Sequence, residues 1–469
     1  MQPTASSLPF SILTLFLLIR AKGDWLPVAL FLSVFETVSI VNVNIGAEAG
    51  IAPCYFALAI ACFQILIRKR SREIISRKPY LPPAAFLGAF GIYALLSAAA
   101  FPFIFEGVTV NGARSSVHLP LVASFTNLAQ SLYLIICLAT YFIVTFRADS
   151  RLIKKTINWY VHGSIVAGLI CIYQWCSANF GLPFPKEFLF TNPTHAIFDA
   201  YDLGGVIRVN GTFTEASFAA VHLAPALALA AWPISTHRFR TRDIAKSLAI
   251  LIPLLLTFSS TAYLCLLLIA AFVIPPLMNL RRGGKQVAVF KAGAALAIGL
   301  LVLRTATNED ARLLTQNVID SVLLEKSSSH SFEERTAGNL AALSAAKDTH
   351  LLGVGWGSLR AFSLFFQILG TVGIPGLSLF SIFCVFLLRP SAFTRVHSLA
   401  AYKRVSLSTA VALFAFALSV PDFGYPFIWV LFGAANAFHP RSRSLESIAM
   451  QHRITAASQT GELLTLTSP

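Results

Sequence analysis

Apolar runs, many of about 18 residues or more, recur along nearly the whole chain, and that is the length a helix needs to cross a ~30 Å hydrocarbon layer. They lie near 8–19, 25–45, 50–67, 84–105, 121–146, 157–178, 213–234, 245–258, 261–279, 287–303, 361–388, 406–420 and 424–438. The pair 245–258 and 261–279 reads either as one long bent helix or, with Ser259, Ser260 and Thr261 as a tight turn, as two short helices. The first run is followed by Arg20 and Lys22 where a signal peptide would have a small-residue cleavage site, so it is expected to be a retained short anchor. Apolar residues make up 56% of the sequence and charged ones 12%, against roughly 25% charged in soluble domains, so a water-soluble fold is excluded. The expected fold is an all-α integral membrane protein, a polytopic bundle of 12–13 transmembrane helices forming one domain over 1–440.

A net charge of +15 would point to nucleic acid in a soluble protein, but here the basic residues sit in short loops between apolar runs. If every run crosses, one face carries 27 of the 36 Lys and Arg, and the other carries 14 of the 21 acidic residues. By the positive-inside rule the basic face is cytoplasmic, the start of the chain lies outside, and the polar tail 441–469 lies inside, disordered. Two outer loops stand apart in length, 179–211 and 305–359, and chemistry is expected there. The seven cysteines fall in or beside apolar runs, which argues against disulfides and a metal cluster.

The first long loop ends in Arg208-Val209-Asn210-Gly211-Thr212-Phe213-Thr214-Glu215. Asn210-Gly211 signals a turn, and Thr212 with Glu215 has capping-box spacing for the next helix. Arg208 is then expected just above the membrane beside a helix N-terminus, whose free N–H groups favour an anion such as phosphate. The competing reading has Arg208 snorkelling to lipid headgroups while Glu215 only caps.

In the second loop, 312–326 has helical spacing suited to lying on a membrane as a roof. Ser331 and Glu334 then have capping-box spacing, which puts Arg335 in the first turn of a helix with Ala337, Leu340, Ala341 and Ser344 as its apolar side. Arg335 could instead be an exposed arginine paired with Glu333 or Glu334. A planar guanidinium gives two parallel hydrogen bonds to phosphate, so Arg208 and Arg335 together suit a diphosphate, with Asn210, Arg360 and His330 as further diphosphate or sugar contacts. Gly353-Val354-Gly355-Trp356-Gly357 follows no strand and is read as a close backbone approach rather than a nucleotide loop. Glu36 and His222 are ionisable residues within apolar runs, and His330 and His350 are acid or base candidates lacking a carboxylate partner in sequence.

These segments resemble the O-antigen polymerase and O-antigen ligase superfamily of bacterial membrane glycosyltransferases. Arg208 through Ser217 looks like its Arg-x-x-Gly-x-Phe segment. Glu334-Arg335 followed by Leu351-Leu352-Gly353-Val354-Gly355-Trp356-Gly357 looks like its loop arginine and Leu-Gly-x-Gly turn, and Gly373-Ile374-Pro375-Gly376-Leu377 its glycine-rich helix. The ligases carry a His about a dozen residues before the counterpart of Gly373; here the chain reads Ala361-Phe362-Ser363-Leu364, which favours a polymerase. The resemblance implies the bacterial inner membrane, two periplasmic loops, and a GT-C-like transfer needing no metal or other cofactor. A glycan would pass from an undecaprenyl diphosphate carrier to a lipid-linked acceptor, with Arg208, Arg335 and Glu215 as the catalytic set. Implied partners are those lipid-linked glycans, membrane lipids, a chain-length regulator and export machinery, with no nucleic acid. An O-antigen ligase-type transferase and a transporter (flippase) of lipid-linked sugars are the alternatives.

Overall fold

The computed structural model describes residues 2–44, 48–68, 74, 77–78, 80–111, 118–194, 197, 201–203, 206–235, 240–278, 330–389, 398–440 and 443–444. The expected span 287–303, the roofing helix 312–326 and nearly all of the tail 441–469 lie outside them.

The described chain is mostly helical. Its helices are α1 Ser7–Arg20, α2 Trp25–Leu32, α3 Pro53–Ile67, α4 Leu81–Ile104, α5 Phe125–Arg147, α6 Ser150–Phe180, α7 Lys186–Leu189, α8 Ala216–Ser235, α9 Thr241–Leu256, α10 Ser260–Met278, α11 His330–Asp348, α12 Leu364–Leu388, α13 Ser398–Ser419 and α14 Pro426–Ala437. The strands are short: β1 Gln2–Pro3, β2 Val41–Asn44, β3 Glu48–Ile51, β4 Arg77–Lys78, β5 Thr109–Asn111, β6 His118–Pro120, β7 Tyr201–Leu203, β8 Val206–Arg208 and β9 Arg443–Ser444. They pair as β1-β2-β3, β4-β9, β5-β6 and β7-β8.

Six helices, α4, α5, α6, α8, α12 and α13, are long and apolar enough to cross a membrane, which makes this a membrane protein. The apolar helices α1, α3, α14 and the described part of α10, Ser260–Ile274, are shorter. Within its apolar stretch α8 is 89% buried, against 39–50% for the other five, so α8 is the axis and the others form the wall. Its sequence explains this: Ala219, Ala220, Ala224, Ala226 and Ala228 let α9, α10 and α13 approach closely, and close van der Waals packing is what joins helices in lipid. Wall helices such as α4 turn Ile92, Leu96 and Phe103 outward.

Chain direction alternates, so the bundle has two distinct ends. Asp24, Arg68, Arg147, Lys155 and Arg404 gather at one, tied by Lys155–Asp24 at 2.7 Å, Arg68–Asp24 at 3.2 Å and Arg404 to the Leu229 carbonyl at 2.9 Å. The described residues of 105–124 and 181–215, with 257–259, 349–363 and 420–425, make the opposite end.

The expected span 25–45 is not one helix. Helix α2 stops at Leu32, after about 12 Å of rise, and 33–40 continues as buried non-helical chain into the β2–β3 hairpin. Such backbone survives away from water only if its polar groups find partners. Here Thr37 N–H donates to the Thr212 carbonyl at 3.2 Å, Thr191 and Asn192 N–H groups donate to the Thr37 carbonyl at 3.0 Å, and the Thr212 hydroxyl donates to the Val34 carbonyl at 2.5 Å.

The glycine stretch after α11 docks against a kink in α12. Gly355 N–H donates to the Thr371 carbonyl at 2.8 Å, Val354 N–H to Gly370 at 3.0 Å, and Ile374 N–H to Leu351 at 2.9 Å. Gly373 has φ 61° and ψ −165°, a region open essentially to glycine alone, and a Cβ there would collide with the Leu351 carbonyl. A Cβ on Gly353 would sit 2.6 Å from the Thr371 backbone. The two strained points are therefore one contact seen from its two sides. Gly373→Ala should lower stability by about 3 kcal/mol or more, measured by thermal unfolding in detergent; an unchanged melting temperature would show that α12 can straighten without cost.

Candidate functional site

The two segments singled out in the sequence meet. Arg335, in the second turn of α11, places one Nη 2.6 Å from Glu215 Oε1 and 3.4 Å from the Ser217 hydroxyl. Ser217 in turn donates to the same Glu215 oxygen. Both charged side chains are about one-quarter exposed, so the pair is open to a ligand at the end of the bundle opposite the basic cluster. Arg335 is thus paired, but with Glu215, 120 residues away in the chain, and not with Glu333 or Glu334.

Glu215 reaches this position because the capping box with Thr212 does not form. The helix starts at Ala216 rather than beside Thr212, whose hydroxyl donates to the Val34 carbonyl, and Glu215 itself precedes α8, its carbonyl accepting from Phe218 and Ala219 N–H at 3.1 Å. Its carboxylate is left free to turn to Arg335.

Arg208 is held at the end of α9. Its Nε donates to the Thr257 carbonyl at 3.2 Å, just past the C-terminal end of α9, and Val209 N–H reaches Leu256 at 3.4 Å. A cation there complements the negative end of a helix dipole, whereas the sequence had placed Arg208 beside an N-terminus. Asn210 is 1% exposed: Gln174 Nε2 donates to its Oδ1 at 2.7 Å, and its own Nδ2 donates to the Phe213 carbonyl at 2.6 Å. Gln174 Oε1 also accepts from Asn210 and Gly211 N–H at 3.0 and 2.7 Å. The amide faces the core and latches the loop to α6. Gln174 was not foreseen, since a glutamine inside an apolar helix carries no motif.

Arg360 is exposed on the loop between α11 and α12. His330 opens α11, while exposed His350 lies past its far end, about 20 Å along the axis from Arg335. The packed face of α11 is Gly338, Ala342, Ala345 and Ala346, with Leu340 turned outward, so the expected side of Ala337, Leu340, Ala341 and Ser344 is displaced. Small residues win that face because α11 lies close to α12: a Cβ on Gly370 would be 3.1 Å from Ala342. Asn339 Oδ1 accepts from Phe362 N–H at 2.9 Å and fixes the rotation.

Below Glu215, Glu36 is buried in the non-helical break. Its Oε1 accepts from Tyr425 at 2.8 Å and Thr214 at 3.2 Å, while Oε2 has no hydrogen-bond partner among the described residues. His222 is fully buried with Nδ1 3.1 Å from the Phe218 carbonyl, Nε2 unpartnered among the described residues, and its ring 4.8 Å from that of Tyr425. Among the described residues no group of His, Cys, Asp and Glu is arranged to hold a metal. Two cavities, about 480 Å³ beside Phe184–Phe188 and about 160 Å³ at the basic end, have walls that do not include Arg208, Glu215 or Arg335.

The latch can be tested by a double-mutant cycle. Gln174→Leu strands the Asn210 and Gly211 N–H groups and should cost about 3 kcal/mol, and its combination with Asn210→Ala should fall short of additivity by about 1 kcal/mol or more in detergent unfolding. Strict additivity would mean that the two amides do not act together.

No protein-family model and no curated protein matches this chain. What it does has to follow from the residues themselves.

Proposed function

We propose that the chain is a membrane glycosyltransferase that polymerises undecaprenyl diphosphate-linked oligosaccharide repeats at the periplasmic face of a bacterial inner membrane. The reading takes the six long helices as part of a 12–13-crossing bundle whose basic end is cytoplasmic. The observation that carries it is the Arg335–Glu215 pair at the N-terminus of α8, joining the two loops that resemble the O-antigen polymerase and ligase superfamily.

The chemistry suits that pair. An acceptor hydroxyl attacks the anomeric carbon, the carbon–oxygen bond to the carrier breaks, and the electron pair leaves with the diphosphate. Arg335 and the first-turn N–H groups of α8 would stabilise the charge that develops there without a metal. As Arg335 turns to the diphosphate, Glu215 loses its cation and becomes the acceptor for the hydroxyl proton. Arg208, held against Thr257, shapes the loop and adds positive potential rather than a direct contact.

A transporter of lipid-linked sugars is the second reading. It is favoured by the broken helix α2 and by Glu36 and His222 deep in the bundle with unpartnered atoms, since discontinuous helices and buried ionisable groups mark transport sites.

Purified protein incubated with its host's lipid-linked repeats should give a ladder of polymer lengths on a gel. Arg335→Gln and Glu215→Gln should each cut the rate by about 100-fold or more, while shifting stability by less than about 1 kcal/mol because the pair is partly exposed. A wild-type protein that builds no ladder but moves lipid-linked sugar across vesicles would replace the polymerase with the transporter.

A further inference from the structure

The cavity of about 160 Å³ at the basic end lies between α6, α13 and the end of α14. Its wall carries the Lys154 ammonium, the Arg404 guanidinium and the Asn158 amide, with Ile157, Val405 and Phe438 as the apolar part. All three elements present the same end: Lys154 and Asn158 lie near the start of α6, Arg404 near the start of α13, and Phe438 caps α14.

Arg404 is held by its Nε, which donates to the Leu229 carbonyl at 2.9 Å, so the guanidinium is fixed across the cavity from Lys154. Asp243 is the acidic group whose charge reaches Arg404, and its carboxylate accepts from Arg240 N–H at 2.9 Å at the start of α9. Lys155 is bound to Asp24 at 2.7 Å, whereas its exposed neighbour Lys154 has no described carboxylate. The cavity wall therefore holds two cations and no acid. A ligand for it needs an anionic head and an apolar body, at the level where helices of a membrane bundle end.

We propose that this cavity binds the headgroup phosphate of an anionic phospholipid, with the phosphate between Lys154 and Arg404 and the start of the acyl region against Ile157, Val405 and Phe438. Arg supplies paired donors to the phosphate, Lys a point charge, and Asn158 a donor to the ester oxygens. The bound lipid would bridge α6, α13 and α14 at the end where α8 also terminates. The proposal needs only that the chain lies in a membrane and is independent of the transferase reading.

The test is native mass spectrometry of the full-length protein in neutral detergent, with phosphatidylglycerol, phosphatidylcholine or inorganic phosphate added. Wild type should retain a phosphatidylglycerol molecule in preference to phosphatidylcholine, and Lys154→Gln and Arg404→Gln should each weaken that retention by about fivefold. Inorganic phosphate, lacking the apolar part, should not displace the lipid. Equal retention of the two lipids, or undiminished retention by Lys154→Gln, would overturn the proposal; so would displacement by inorganic phosphate, which would make this a small-anion site. Lys154 is exposed, so its variant decides the matter even if Arg404→Gln fails to fold.

Discussion

The backbone of 33–40 leaves the helix in the middle of an apolar bundle, and everything at the candidate site depends on how its polar groups are satisfied. The partners come from 191–192 and 212–214: Thr37 bonds to Thr212, Thr191 and Asn192, Val34 to Thr212, and Glu36 to Thr214. Without water, an unpaired peptide group costs several kcal/mol, so these bonds hold 191–192 and 212–214 against the broken helix firmly. With Thr212 tied to Val34, α8 starts only at Ala216, so Glu215 stands just ahead of the helix with its carboxylate turned to Arg335. The Gln174 latch then fixes the same loop from the side of α6.

A second constraint brings Arg335 to meet it. Helix α11 is held by Asn339 at Phe362 and by small residues against α12, and the chain beyond it docks into the kink at Gly373. Rotation of α11 is thus set by close backbone approach at its C-terminal side, while its N-terminal side presents Arg335. The ion pair is the meeting point of two separately anchored segments, which gives it a defined geometry although it is partly exposed. A partly exposed pair of this kind adds modest stability, so its interest lies in chemistry.

Much of the site was visible as residue types. Arg335, Glu215 and Gly353 were marked from local capping and close-approach signals, and Gly373 by the family resemblance. Their partners were not. Glu215 looked like a capping residue and Arg335 like the neighbour of Glu333 and Glu334, since nothing local reveals a contact 120 residues away. Arg208 was assigned to the nearest helix start, yet the end of α9 competes for the same cation and holds it. The face of α11 was misjudged because hydrophobicity was used as the guide. Close approach to α12 leaves room only for small side chains, so Ala and Gly turn inward and Leu340 outward.

The length and repetition of the apolar runs alone determined a helical membrane protein, since a helix is the one way a single run can satisfy its backbone in lipid from within itself. The break of 25–45 into α2 and buried non-helical chain could not be read there, because hydrophobicity measures the preference for lipid or core and is silent on whether hydrogen bonds come from within the segment or from a distant loop. Only tertiary structure decided that, and with it which carboxylate faces Arg335, because those bonds join segments whose separation in sequence carries no signal of their nearness in space.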